Sequence, residues 1–117
     1  MSGNYHIEQI GKIIAIRFAS PALVRDIIAV ADEAAQFDKN TLRLWDFRKG
    51  LNLSSSDVVQ IADRAKNISF PPSKIAILVS DKLAYGLARM YDVYRAQQNQ
   101  EVRLFETEEE AIKWLKE

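Results

Sequence analysis

Tyr5 and Ile7 alternate with His6 and Glu8 near the start of the chain. That period of two predicts a half-buried edge strand over Asn4 to Gln9. After a tight turn at Gly11, the segment Lys12 to Phe18 contains IIAIRF, more continuously apolar and so a more central strand. Ser20-Pro21 places serine at an N-cap and proline at a first helical position. The helix they open should bury Leu23, Ile27, Val30, Ala31, Ala34 and Phe37, which recur at helical spacing. Val24, Ile28 and Ala35 widen that stripe to roughly half the circumference, enough to touch something beyond its own sheet.

The stretch from Thr41 to Asp57 organises the chain. Leu42, Leu44, Trp45 and Phe47 form a short apolar run that predicts a buried strand with Trp45 inside. A polar loop follows. Ser54, with Asp57 three residues later, is a capping box that opens a helix with Val58, Ile61, Ala62 and Ala65 inward, running to about Asn67. Phe70-Pro71-Pro72 stops that helix, since prolines cannot continue it. Lys74 to Ser80, KIAILVS, reads as a buried parallel strand. Ser80 or Asp81 caps a third helix with Leu83, Leu87, Met90, Tyr91 and Tyr94 inward, and Tyr85 on the opposite side near Arg89 and Asp92. Asn99 ends that region, and Glu101 to Phe105 is a last short strand. Thr107 with Glu110 is another capping box, and the final helix buries Ala111, Leu115 and either Ile112 or Trp114. The order ββαβαβαβα implies an α/β domain, parallel pairing through right-handed crossovers and one antiparallel edge strand.

At 117 residues the chain suits one domain with one core. Its 16 basic and 16 acidic residues cancel, so no global field draws it to nucleic acid, and contact with an anionic membrane needs a local patch. The absence of cysteine removes disulfides, thiol catalysis and thiolate metal sites, and fits a reducing compartment. MSGNYHIEQI lacks a signal-peptide pattern, and no apolar run approaches the ~20 residues that span a bilayer. A cytoplasmic protein is the expectation.

The candidate chemistry is sparse. His6 is the one histidine, which leaves no metal constellation and no Ser-His-Asp triad. Asp46 ends a strand where a response-regulator receiver keeps its phosphorylated aspartate. The acidic pair and the lysine such a site needs are replaced by Ala19-Ser20 and Glu106-Thr107. Asp46 is therefore expected to pair with Arg48 or to bond the loop backbone. Arg48, Lys49 and Lys82 follow the ends of two strands, beside helix starts at Ser20, Ser54, Ser80 and Thr107. Cations and exposed N–H groups together make a candidate anion site; the plainer reading is a solvated rim with capping serines. Tyr85, Met90, Tyr91 and Tyr94 share a helix with Gly86. They read as core, or as the wall of an apolar pocket with polar tips, exposed when the helix swings from the sheet.

In that order, IIAIRFAS, LRLWDFRKGLNLSSSDV, KIAILVSDKLAYGLARMYDVYRAQ and EVRLFETEEEAIKWL resemble the SpoIIAA-like family within the STAS (anti-sigma-factor antagonist) group. The resemblance implies a mixed five-stranded sheet with four helices. It also implies kinship with the CRAL-TRIO lipid-transfer fold, whose helices open over an apolar pocket. Neither catalytic activity nor a cofactor follows from it. Typical antagonists are phosphorylated on a serine in an Asp-Ser-Ser-Gly-Leu type motif. The matching place here holds Leu53-Ser54-Ser55-Ser56-Asp57, with the serines present and Gly-Leu absent. The expectation is a non-enzymatic module for a hydrophobic or anionic amphipathic small molecule, with peripheral membrane contact. Its rival is an adaptor that acts through a protein partner or a homodimer and is switched at Ser54, Ser55 or Ser56.

Overall fold

The computed structural model describes residues 4–34, 42–66, 73–95 and 100–117. In chain order the elements are β1 (Tyr5–Ile10), β2 (Ile13–Phe18), β3 (Ala22–Leu23), α1 (Val24–Ala34), β4 (Leu42–Phe47), β5 (Leu51–Asn52), α2 (Ser55–Lys66), β6 (Ser73–Val79), α3 (Lys82–Arg95), β7 (Gln100–Phe105) and α4 (Glu108–Lys116). Five strands make one mixed sheet in the order β1-β2-β4-β6-β7. β1 is antiparallel to β2, and every other pair is parallel. Gly11, at φ 59°, supplies the left-handed residue of the β1–β2 turn, where a side chain would be strained. The expected five strands and four helices are therefore present, with the antiparallel strand at an edge.

Alternation along the strands sorts the side chains into two cores. On one face Ile14, Ile16, Phe18, Phe47, Ile75, Ile77 and Val79 pack under α1 and α3, with Ile61 of α2 against them. On the other, Ile13, Ala15, Leu44, Ala76 and Leu78 pack under Ala111, Trp114 and Leu115 of α4. The last helix thus buries Trp114 and leaves Ile112 half-buried. Central strands buried on both faces explain their unbroken apolar runs.

Three expectations change. The first helix does not start at Ser20-Pro21. Ala22 and Leu23 instead pair in parallel with Leu51 and Asn52 as a second, two-stranded sheet, and α1 starts at Val24. Trp45 is half-buried rather than enclosed: it stacks on Phe47 at 5.7 Å, and Phe47 stacks on Phe18 at 5.2 Å. On α3 the inward residues are Ala84, Leu87 and Ala88, while Leu83 is 69% exposed. Ala84 and Ala88 let α3 approach closely, and its phase turns to suit them. Ile27, Val30, Val58 and Ala62 face inward as expected. Phe37, Ala35, Asn67, Phe70-Pro71-Pro72 and Asn99, like the side chains of Ala31, Ala34, Ala65 and Tyr94, lie outside what is described.

Candidate functional site

Parallel pairing brings the carboxyl ends of β2, β4 and β6 to one rim, the edge where α/β folds place ligands. The loops there are tied together. Gly50 donates to the Phe47 carbonyl at 2.9 Å and accepts from Ala22 N–H at 3.1 Å. Its φ of 104° is open to glycine, and a Cβ would lie 3.9 Å from both Pro21 and Asp81. Ser80 Oγ donates to the Arg48 carbonyl at 2.7 Å, so the loops after β4 and β6 are joined directly.

The rim cations meet carboxylates of the same chain. Arg17 and Asp46 are register partners on β2 and β4 and bond at 3.0 Å. Asp46 also accepts from Arg48 Nε at 2.9 Å, Arg48 Nη2 at 2.8 Å and Arg48 backbone N–H at 3.1 Å. Glu108, in the first turn of α4, bonds Arg17 at 2.7 Å and Arg48 at 3.3 Å, and Glu8 on β1 closes on Arg17 from the edge. Burial pushes the Asp46 carboxyl up, but the hydrogen bonds and charge of Arg48, then Arg17, outweigh it and hold it below its ordinary value. The Glu108 hydrogen bond leads the forces that raise the Arg17 pKa, against burial, which lowers it.

The helix N-termini at the rim are likewise occupied from within. Ser54 Oγ accepts from Asp57 N–H at 3.1 Å while Asp57 accepts from Ser54 N–H at 3.0 Å, a closed capping box. Asp81, not Ser80, caps α3 by accepting from Ala84 N–H at 2.7 Å. Thr107 accepts from Glu110 N–H at 3.3 Å on α4. Ser20 heads no helix; its hydroxyl bonds Asn4, whose amide donates to Asp26 at 2.7 Å. An external anion at this rim would compete with Asp46, Asp57, Asp81 and Glu108. Arg48 is spent on Asp46 and Glu108, Lys49 and Lys82 stay exposed, and the N-termini of α2, α3 and α4 are capped by side chains of the chain itself. Ser54, Ser55 and Ser56 are exposed, with Ser54 Oγ engaged as the cap and 3.2 Å from Ser56 Oγ. His6 is exposed on β1, and among the described residues no three His, Asp or Glu side chains are grouped to hold a metal.

The exposed face of α3 is different. Leu83, Gly86, Met90 and Val93 recur at spacings of three, four and three, so they form one line along the helix. Leu83 is 69% and Val93 70% exposed, with Met90 half-buried. Lys82, Tyr85 and Arg89, all exposed, follow the adjacent line. Tyr91 is half-buried toward the core side. Of the residues singled out from the sequence, α3 thus groups Lys82, Tyr85 and Met90, while Arg48 and Lys49 lie on the loop after β4. Reading the sequence alone misses Leu83 and Val93 as surface residues, and Arg17 and Glu108 as rim partners. Set against known proteins, the chain matches no family model, no curated protein and no solved structure.

Proposed function

We propose that this chain is a non-enzymatic, SpoIIAA-like (STAS-type) module that binds an anionic amphiphile through α3, free or at the surface of a bilayer. The mixed five-stranded sheet with four helices supports the family reading. The observation that carries the ligand class is the paired lines on α3: an apolar line of Leu83, Met90 and Val93 beside Lys82, Tyr85 and Arg89. An apolar strip buries acyl chain, a tyrosine sits at the boundary, and cations reach an anionic head group. Gly86 lies between them; a Cβ there would meet nothing within 4 Å, so no packing demands glycine. It leaves α3 weaker than alanine would by ~1 kcal/mol, in the helix that has to yield if ligand enters beneath it.

Vesicle sedimentation tests this reading. The protein is expected to pellet with phosphatidylcholine vesicles containing phosphatidylglycerol, less at high salt, and not with pure phosphatidylcholine. Leu83→Ser combined with Val93→Ser should abolish pelleting without lowering the melting temperature. If vesicles fail but oleate slows hydrogen exchange in α3, the ligand is a free amphiphile; failure of both refutes the reading.

A further inference from the structure

β7 is the last strand of the sheet, and among the described residues nothing pairs with its outer edge. Such an edge presents a row of N–H and C=O groups that another strand can complete. Val102 and Leu104 lie on the three-helix face, half-buried against the core there. Glu101 and Arg103 point to the α4 face and are exposed. Arg103 lies 5.4 Å from the Trp114 ring, and Glu101 has no ion-pair partner among the described residues.

We infer that β7 pairs antiparallel with β7 of a second copy, centred on Val102, joining two sheets into one. The register follows from symmetry and charge. A two-fold axis perpendicular to the sheet keeps each face continuous, so the axis must lie midway between the two copies of one residue, which then face each other. Centring on Glu101 sets two carboxylates opposite each other, and centring on Arg103 sets two guanidiniums opposite each other. Centring on Val102 places Glu101 against Arg103 of the second copy twice, with Val102 on Val102 between them. Like charges directly opposite weaken a strand pair, and opposite charges support it.

The other edge is less suited. Glu8 on β1 is already bound by Arg17, so its charge is not available to a partner. Pairing through β7 leaves both copies of α3 on one side of the joined sheet, because the axis preserves faces.

Sedimentation velocity over a concentration series tests the inference. The native chain is expected to dimerise. Glu101→Arg alone and Arg103→Glu alone should each weaken the dimer at least tenfold, since each sets like charges opposite. An equimolar mixture of the two variants should dimerise again, because both cross-strand pairs become complementary. If Arg103→Glu fails to fold after losing its place over Trp114, Glu101→Arg carries the test, since Glu101 has no ion-pair partner among the described residues. A native chain that stays monomeric throughout the series, or variants that dimerise as well as the native chain, overturns the inference. Dimers lost instead in the Leu83→Ser and Val93→Ser variant would assign the contact to α3 and also overturn it.

Discussion

Replacing Trp114 with alanine is expected to lower the unfolding free energy by about 4 kcal/mol, the upper part of the range for a buried aromatic. The side chain is 5% exposed and sits between α4 and the sheet. Phe105 lies 5.7 Å from its ring, and Lys74 Nζ is 5.0 Å above it. Lys74 also donates to the Trp114 carbonyl at 3.1 Å and to the Glu117 carbonyl at 3.3 Å, which fastens the end of α4. Removing the indole opens a cavity and takes away the surface that Lys74 and Arg103 cover. Trp45→Ala is expected to cost about half as much, because its ring is only half-buried. Urea denaturation of the two single variants gives the comparison. Equal losses, or a larger loss at Trp45, would contradict the placement of the two indoles.

Asp46→Ala is expected to cost about 3 kcal/mol at neutral pH, as removing one partner of a buried ion pair does. Asp46 is 7% exposed and holds both Arg17 and Arg48, so the substitution takes the most buried carboxylate away from two guanidiniums and leaves Arg48 with Glu108 alone among the described residues. Glu108 and Glu8 still reach Arg17, which keeps the loss from being larger. The pH dependence follows from the direction of the shift. The folded carboxyl titrates below the unfolded one, so its stabilisation is complete above about pH 4, the ordinary aspartate value. It is lost as the pH falls through the lower, folded value. The gap in stability between the native chain and Asp46→Asn should therefore be constant from neutral pH to the ordinary carboxylate range and then close on further acidification. A gap that widens in acid would reverse the assigned sign.

The fold was legible where local chemistry decides it. Gly11 marks the first turn, Ser54 and Thr107 mark two helix starts, and the run before Ser80 marks a strand enclosed on both faces. Asp46 was readable as a partner of Arg48 because the two are neighbours in sequence. Arg17 and Glu108 were not, because their meeting depends on β2 lying beside β4 and on α4 starting above both. Ser20-Pro21 looks like a helix start, but the pairing of Ala22 with Leu51, distant in the chain, overrides it. On α3 two apolar lines compete. Leu83 outweighs Ala84 in hydrophobicity, yet the smaller side chain allows the closer approach, so tertiary packing reverses the phase. That reversal is what leaves Leu83 and Val93 on the surface.

Hydrogen exchange along α3 tests the central claim most directly. Amides from Leu83 to Tyr94 are expected to exchange faster than those of Ile75 to Val79, which lie in a doubly covered strand. Vesicles containing phosphatidylglycerol, or oleate, should slow the α3 amides and leave the strand unchanged. Equal protection in both segments, with no response to either amphiphile, would mean that α3 is a rigid core helix and not the binding surface.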